Sequence, residues 1–362
     1  MIHKAATLQH SALAIVEPDS ATWDTFTQHH QDGNLLQSSY WGTLKTQYGW
    51  QRRIVAVTGA DGLVNGAQIL FRKRFGLSIA YVPRGPLLSG IPNADRLLFA
   101  ALDHQAQSAR AIFLRLEPNT LEHAIETDSL QQLLLSQNFQ LAEPLQPRSS
   151  IHLDLKVDAT RLSAAMSKGH RADIRRATRE GVTVRVGTSP IDFDAFYSIL
   201  ESTSLRAKFN IHTRSYYDAA WKLFSANNAA CLLLAERGGT PLATALIFAW
   251  AGVGAYLYSG STEEGLKSGA QHAIQWQAIQ WAQEQGCKLY DFWGIPDPLG
   301  QAAMTSSQNE REQLEIAARS DPLYGVYRFK KGFGGQVVRY LPAYDRVYIS
   351  SLYALWKRRM TG

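Results

Sequence analysis

The chain has 362 residues, 45% of them hydrophobic and 19% charged, which is the composition of a globular protein long enough for two domains. Its net charge of +6 favours partners that carry negative charge, such as phosphates, RNA or an anionic membrane surface. Two cysteines exclude a disulfide framework, and no Cys/His cluster has the spacing of zinc ligands, so that no structural metal is expected.

The hydropathy pattern predicts a cytoplasmic protein. Residues 1–10 contain no apolar core of the length that a signal peptide needs. No run of 18 apolar residues occurs in the sequence, so that no membrane span is predicted.

The predicted elements follow the same order in the two halves of the chain. Each half has helical stretches, then three apolar runs separated by glycine turns, which predict an antiparallel meander, and then an amphipathic helix and a buried strand. In the first half the helical stretches are residues 21–30 and 39–48. The first strand is residues 53–57, and the last strand is residues 111–116. In the second half the helical stretches are residues 160–180 and 191–225, and the first strand is residues 231–235. The amphipathic helix is residues 270–284, and the last strand is residues 288–293.

The two halves are related by a constant offset. Residues 66–71 are similar to residues 243–248, and 248 − 71 = 177. The same gapless offset relates Tyr81 to Tyr258 and Phe99 to Trp276. The sequence therefore predicts a structural repeat.

Three antiparallel strands followed by a helix and a further strand form the central part of the acetyltransferase-like (GNAT) fold. We therefore expect an α/β (α+β) protein with two tandem GNAT-like domains facing a shared cleft. The proline-rich residues 143–147 mark the boundary. The expected domains are residues 1–148 plus 337–362 and residues 149–336.

Seven segments carry short motifs rich in aromatic, basic and glycine residues, and the last of them reads Tyr-Arg-Phe-Lys-Lys-Gly-Phe-Gly-Gly. They are residues 37–50, 80–86, 114–118, 170–182, 212–217, 290–295 and 327–335. In content and order they resemble the Fem family of non-ribosomal peptidyltransferases, which extend the peptidoglycan stem peptide. Larger members of that family carry a helical arm in the second domain, and residues 191–231 are too few for one. The chain therefore resembles the compact members without a coiled-coil arm.

The resemblance implies an aminoacyltransferase that needs no cofactor other than its donor substrate, aminoacyl-tRNA. The first domain would bind a UDP-linked or lipid-linked muramyl pentapeptide, and the second would face the aminoacyl-tRNA. The acceptor amine would attack the ester carbonyl, giving an amide and free tRNA, and the enzyme would act as a monomer. Relatives also act on acceptors outside peptidoglycan, which leaves the acceptor open.

Aminolysis of an ester requires a neutral amine, its positioning, and stabilisation of the tetrahedral oxyanion. By resemblance, Lys330 is the first catalytic candidate, with Phe329 beside it. Its ammonium would bind a tRNA phosphate or the oxyanion, and the alternative is a glycine turn with solvated lysines. Lys331 is expected to be an exposed neighbour. Glu117, which follows a predicted strand, would receive the amine proton or hold the acceptor ammonium; otherwise it is a carboxylate in solvent.

Further candidates are basic or aromatic side chains for the substrates. Lys45 and Arg84 would bind acceptor phosphates, and either Arg206 or Arg214 a diphosphate, since the planar guanidinium suits phosphate. The tyrosines are cleft candidates whose alternative is a core position with a solvated hydroxyl. They are Tyr216, Tyr256 and Tyr258.

A predicted helix places Arg171, Arg175 and Arg179 on one face at a spacing of four. Like charges at this spacing repel, which a tRNA backbone or a diphosphate would relieve. The alternative is a solvated face partly compensated by Asp173. Asp291, within an apolar strand, is interpreted as structural.

Two other functions remain open. An acyl-CoA-dependent GNAT-type N-acyltransferase acting on a polysaccharide or small-molecule amine would need a pyrophosphate loop, but residues 264–270 have an acidic first position and Lys267 in place of the middle glycine. A non-catalytic RNA- or membrane-binding protein would fit the basic helix. The amphipathic residues 348–360 are expected to dock on the first domain, with contact to the inner membrane face as the alternative.

Overall fold

The computed structural model describes residues 13–360, with side chains described up to residue 358. The prediction made from residues 1–10 lies outside this range. The described chain divides into two compact units, the first being the described residues up to Gln146 and from Tyr340 onward, and the second Pro147–Arg339. Each unit contains one seven-stranded sheet with helices packed against it, which confirms the predicted α/β class.

The first unit contains the predicted antiparallel meander. Its strands are β1 (Ala14–Val16), β2 (Gln51–Gly59), β3 (Gly62–Arg74), β4 (Leu77–Val82), β5 (Ala111–Leu116), β6 (Gln140–Ala142) and β14 (Ala343–Val347). Its helices are α1 (Ser20–His29), α2 (Ser39–Thr46), α3 (Pro92–Ser108), α4 (Thr127–Ser136) and α14 (Ser350–Met360), with a 3₁₀ turn at Leu35–Gln37. Helix α3 returns the chain so that β5 lies parallel to β4, and the sheet order is β1-β2-β3-β4-β5-β14-β6.

The second unit repeats this order. Its strands are β7 (Ser149–Asp154), β8 (Val182–Val186), β9 (Ala230–Arg237), β10 (Thr240–Trp250), β11 (Val253–Ser261), β12 (Leu289–Asp291) and β13 (Gln336–Arg339). Its helices are α5 (Ala159–Ala165), α6 (Lys168–Arg179), α7 (Pro190–Ala207), α8 (Arg214–Ser225), α9 (Glu263–Ser268), α10 (Ala270–Glu284), α11 (Asp297–Met304), α12 (Gln308–Ala318) and α13 (Tyr324–Lys331). The sheet order is β13-β7-β12-β11-β10-β9-β8, with β12 parallel to β11. None of the helices within residues 13–360 is long and apolar enough to cross a membrane.

The chain passes between the two sheets twice. After β6 the chain enters the second sheet as β7, and after β13 it enters the first sheet as β14, between β5 and β6. The prediction that residues 337–362 pack on the first domain is therefore wrong for residues 337–339, because β13 pairs with β7 in the second sheet. The residues that follow behave as expected, since the α14 rings of Tyr353 and Trp356 lie 5.3 and 4.6 Å from that of Phe113 on β5.

The repeat needs one correction inside the second meander. Phe71 pairs with Ala80, whereas its counterpart Phe248 pairs with Ala255, and 255 − 80 = 175. The second hairpin turns at residues 251–252, one residue earlier than the offset places it (75 + 177 = 252), so that residues 253–256 of the returning strand shift by two. The structural counterpart of Tyr81 is therefore Tyr256, and the predicted equivalence of Tyr81 and Tyr258 is wrong.

Two long helical predictions are each divided in the structure. Residues 160–180 form α5 and α6, because the Ser167 hydroxyl caps a new helix by accepting from the backbone N–H of His170 at 3.1 Å. Residues 191–225 form α7 and α8, because the chain leaves α7 at Lys208 with a left-handed φ of +54°. No inserted helical arm occurs within residues 190–225.

Candidate functional site

Lys330 lies on a helix and is buried. The predicted glycine turn begins only after α13, where Gly334 and Gly335 have φ values of +95° and +83°. The side chain of Lys330 is buried in the second unit, with 6% of its surface exposed. Its Nζ donates to the carbonyl oxygens of Trp293 at 3.1 Å and Gly294 at 2.7 Å. The alternative of a solvated lysine is therefore wrong, and so is a glycine turn as its immediate setting.

Burial lowers the pKa of Lys330 from 10.5 to about 7, against the opposing charge of Asp291. Burial alone would raise the pKa of Asp291, but its interaction with His152, followed by hydrogen bonds from Ser150 and from the Trp293 backbone N–H, holds that pKa below its usual range. The His152 Nε2 lies 3.7 Å from the Asp291 carboxylate. Lys330 thus has a pKa that allows both protonation states near neutral pH.

The loop after β12 presents main-chain oxygens to Lys330. Trp293 has a φ of +61°, a conformation that is rare for so large a side chain. Its backbone N–H donates to Asp291 at 2.7 Å, which fixes the turn. Gly294 cannot carry a side chain without a shift, because a Cβ would lie 2.9 Å from Pro147. The strain is therefore found where the two carbonyl groups converge on the ammonium.

Two histidines that the sequence did not indicate support the end of α13. His170 Nδ1 lies 2.9 Å from the Ser167 hydroxyl, and its Nε2 lies 2.8 Å from the Phe329 carbonyl oxygen, which assigns the proton to Nε2. The His272 ring is 4.6 Å from His170, and burial, with the neighbouring His170, lowers the pKa of His272 to about 4. The position of His170 at the start of a family-like segment was the available signal. Phe329 is half-buried and its ring is 5.2 Å from that of His272, so that it helps to fix this arrangement.

Glu117 is also buried, in the first unit, with 4% of its surface exposed, so that the alternative of a solvated carboxylate is wrong. Its carboxylate accepts from the Tyr81 hydroxyl at 2.5 Å and from the backbone N–H groups of Leu145 and Gln146. Burial, and then the charge of Glu117, raises the pKa of Tyr81 well above its usual value, so that Tyr81 stays a donor. These bonds fix the carboxylate at the end of β5.

Arg84 occupies the turn that follows β4, near Glu117. Its φ is +49°, and its guanidinium lies 3.7 Å from the centre of the Tyr340 ring. The next residue, Gly85, donates its backbone N–H to the Glu117 carbonyl oxygen at 3.0 Å. Gln37 holds the turn by donating to the Pro83 carbonyl at 2.7 Å. Arg84 and Glu117 are thus brought to the same end of the first sheet.

Lys45 on α2 is another cation in a partly buried setting. Burial, followed by the charge of Arg72, lowers the pKa of Lys45 to about 8. Its Nζ lies 4.8 Å from the centre of the Trp41 ring, and Arg72 lies 5.7 Å from the Trp50 ring. A bound anion would relieve the repulsion between the two cations.

The tyrosine candidates of the second unit lie largely in its core. Tyr216 and Tyr256 are buried, and burial raises the pKa of Tyr256 to about 12 and that of Tyr258 well above its usual value. The Tyr258 ring packs 4.8 Å from that of Tyr217. The surroundings of these tyrosines are therefore those of the alternative interpretation, in which they are core residues.

Arg206 and Arg214 have different partners. Arg206 is exposed and donates to the Ser261 carbonyl oxygen at 2.7 Å. Arg214, at the start of α8, forms an ion pair with Asp194 and lies 5.1 Å from the Phe193 ring. Arg206, with no carboxylate partner in the described residues, is the more available to an anion.

The three arginines of α6 do not act as one surface. Arg171 Nη1 donates to the carbonyl oxygens of Ser163, Ala164 and Met166, which caps the end of α5. Arg175 and Arg179 are exposed, as an anion-binding role requires. Asp173 forms an ion pair with Arg176 at 2.8 Å. The carboxylate predicted to offset the charge of the three arginines therefore pairs with a different arginine.

The sequence comparisons identify the family. A sequence model of the FemAB family matches residues 19–238 and 235–357. The chain belongs to the FemAB family. Two curated relatives are a UDP-N-acetylmuramoylpentapeptide-lysine N(6)-alanyltransferase of Weissella viridescens, 27% identical over 75% of this chain and 83% of the relative, and a lipid II:glycine glycyltransferase of Staphylococcus saprophyticus, 22% identical over 92% of each chain.

The structural comparisons agree on the fold of this FemAB protein. A crystal structure of FemX superposes with a TM-score of 0.82 at 19% identity, covering 94% of this chain and 99% of FemX. A tandem GNAT protein from the clavulanic acid biosynthesis pathway gives a TM-score of 0.53 at 11% identity, covering 93% of this chain and 98% of the other. The predicted pair of GNAT-like domains is therefore confirmed.

Proposed function

We propose that this FemAB protein transfers an amino acid from aminoacyl-tRNA to an amine of a muramyl pentapeptide or a related cell-envelope acceptor, forming an amide. The names of the two relatives support this reaction class, since one is an alanyltransferase acting on a UDP-linked muramoylpentapeptide and the other a glycyltransferase acting on lipid II. The observation that carries the proposal is Lys330, a buried cation held by two main-chain oxygens.

The neutral acceptor amine attacks the ester carbonyl carbon of aminoacyl-tRNA, and an N–C bond forms while the carbonyl oxygen becomes an oxyanion. The bond from that carbon to the tRNA ribose oxygen then breaks, the amine loses a proton, and the ribose hydroxyl gains one. A lysine ammonium has three N–H donors, and two are used by the carbonyl groups of Trp293 and Gly294. We assign the third to the oxyanion, where a preorganised charge is most effective.

The protein supplies no thiol nucleophile in this mechanism. Cys231 and Cys287 are free and buried, and burial raises their pKa values to about 12 and 11, with the charge of Glu284 adding to the shift of Cys231. A thiol needs its thiolate form to attack, which these two side chains do not supply near neutral pH. Direct attack by the acceptor amine accounts for the reaction without a covalent enzyme intermediate.

The first unit is assigned to the acceptor. Lys45 and Arg84 would bind its phosphates, and the fixed carboxylate of Glu117 would hold its ammonium before transfer. The second unit is assigned to the tRNA, with Arg175 and Arg179 exposed on α6 for the ribose-phosphate backbone. We further infer a cytoplasmic monomer with peripheral contact to the inner membrane face.

Label transfer tests the reaction class. Purified protein is given radiolabelled aminoacyl-tRNAs or acetyl-CoA, each with UDP-linked muramyl pentapeptide and, separately, with the lipid-linked form. Label in the peptide from aminoacyl-tRNA is expected. Transfer from acetyl-CoA alone would establish the acyl-CoA-dependent N-acyltransferase and overturn the proposal.

A further inference from the structure

The tip of the β3–β4 hairpin carries an aromatic side chain that turn chemistry does not require. Phe75 and Gly76 form a two-residue turn with φ values of +51° and +74°, the backbone of a type I′ turn, which favours Asn-Gly. A phenylalanine in the left-handed region is strained, and Phe75 is 89% exposed. The corresponding turn of the second unit has the same φ values with Ala251 and Gly252. The fold therefore forms this turn without an aromatic residue.

A groove of about 760 Å³ lies between this hairpin and α14, within the first unit. Its floor is apolar and its rim is cationic. The apolar lining includes Leu77, Ile79, Ile112, Leu352, Leu355 and Trp356. Helix α14 is anchored through Tyr353, which is buried, and leaves Leu355 49% exposed beside the groove. The exposed apolar surface is thus continuous from the hairpin tip to the helix.

The charge around this surface has one sign. Arg72, Lys73 and Arg74 border the groove, and Arg110 adjoins the last two in a neighbouring depression. Exposed Lys357 and Arg358 extend the cationic region along α14. The sequence of the three segments that build the surface, residues 72–79, 108–112 and 350–358, contains no aspartate or glutamate.

We propose that the β3–β4 hairpin and α14 dock on an anionic phospholipid bilayer, with Phe75 and Leu355 inserted at the interface and the cations on the headgroups. Apolar side chains projecting among cations favour a lipid surface over RNA, since phosphate contacts alone would not use an exposed leucine beside the groove. The inference deepens the proposed function by placing the enzyme where a lipid-linked acceptor lies. Its test stands apart from that function, because vesicle binding requires no substrate.

The test is co-sedimentation of the full chain with vesicles of phosphatidylcholine, with and without phosphatidylglycerol. Binding is expected only to the anionic vesicles and should weaken as salt rises. Phe75→Asn supplies the preferred turn residue, so that folding is preserved while the ring is removed, and binding should fall roughly ten-fold. Lys73→Gln with Arg74→Gln should lower it about 25-fold, a factor of roughly five for each cation.

The matched control is Ile125→Asn in the same unit. Ile125 is 96% exposed but lies between Glu122 and Glu126, so that its replacement should not change vesicle binding. Wild-type protein that ignores anionic vesicles, or equal losses in Phe75→Asn and Ile125→Asn, would overturn the proposal. So would a double variant that loses tRNA binding but keeps vesicle binding. Transfer to a soluble UDP-linked acceptor should persist in Phe75→Asn, which separates docking from catalysis.

Discussion

Lys330→Met removes the charge at the candidate site while keeping a side chain of similar length. The ammonium donates to the carbonyl oxygens of Trp293 and Gly294, so that its position is fixed before substrate binds. Loss of one preorganised oxyanion donor lowers kcat by about 10²–10³-fold. The matched control is Lys331→Met. The exposed Lys331 donates to the Gly335 carbonyl oxygen at 2.9 Å, and its removal should leave the rate unchanged.

The pH dependence tests which form of Lys330 acts. Its pKa of about 7 means that the ammonium is lost as pH rises above neutrality. The assay measures aminoacyl transfer by the wild type and by Lys330→Met from about pH 6 to 8.5, corrected for ester hydrolysis, and takes the ratio of kcat/KM at each pH. The ratio cancels the titration of the acceptor amine. It should be largest at low pH and fall above pH 7.

A ratio that rises through pH 7 would refute the oxyanion assignment, because the neutral amine would then be the acting form and Lys330 would be a general base. A ratio near one at all pH values would refute a catalytic role altogether, provided that the variant folds. Circular dichroism and thermal unfolding of Lys330→Met establish that condition.

The same buried amine makes stability depend on pH. The unfolded chain keeps the proton on Lys330 up to about pH 10.5, and the folded protein only up to about pH 7. Folding therefore releases a proton between these values, so that the contribution of Lys330 to stability is complete above pH 10.5 and is lost as pH falls to 7. With a slope of about 1.4 kcal/mol per pH unit, the wild type should gain about 2 kcal/mol over Lys330→Met between about pH 7.5 and 9. Urea unfolding of both proteins at both pH values measures this difference in the free energy of unfolding. The same change with pH in the wild type and in Lys330→Met would contradict the low pKa of Lys330.

Three further substitutions, the last with a matched control, test other parts of the two units. Asp291→Asn removes the charge that raises the pKa of Lys330, so that the midpoint of the activity ratio should move to lower pH; an unchanged midpoint would mean that the two groups do not interact. Glu117→Gln turns an amide N–H₂ toward hydrogen-bond donors and should cost about 1–3 kcal/mol in urea unfolding, whereas a solvated carboxylate would cost nothing. Gly335 has a φ of +83°, and a Cβ there would lie 2.6 Å from a carbonyl oxygen, so that Gly335→Ala should lower the free energy of unfolding by about 2 kcal/mol or more. The control is Gly238→Ala, at a φ of +56° with open space around the Cβ, which should lower that free energy by less.

The sequence predicts those parts of the fold that local periodicity determines. The bounds predicted for α10 and β5, residues 270–284 and 111–116, agree with the structure. Helix α10 buries one face at the helical period, and β5 is a short, nearly continuous apolar run. The offset between repeats failed in β11, where a hairpin one residue shorter on each arm leaves no mark in composition.

The chemistry of the candidate site was less accessible from the sequence. Family resemblance selected Lys330, but nothing local indicates that its partners are main-chain oxygens of a loop 36 and 37 residues away in the sequence. That loop depends on a left-handed tryptophan, Trp293, a conformation that sequence rules assign to glycine or asparagine. Rules of local consistency fail here because the tertiary structure overrides them, as is usual where a site is built.

The position that follows β5 in the first unit and β12 in the second differs between the two units in a way that suits an amide-forming enzyme. In the first unit it is Glu117, whose side chain places a fixed anion at the strand end. The offset of 177 residues leads from there to Gly294 (117 + 177 = 294), where the carbonyl oxygen holds the cation of Lys330. An acceptor ammonium needs a carboxylate before transfer, and an ester oxyanion needs a cation during it. In the first unit this position supplies the charge itself, whereas in the second it supplies a carbonyl oxygen that holds the charged Lys330. Under the proposed function we assign each unit to one of the two substrates. Reversing either charge, by Glu117→Lys or by Lys330→Glu, should therefore abolish aminoacyl transfer and should not change which substrate each unit binds.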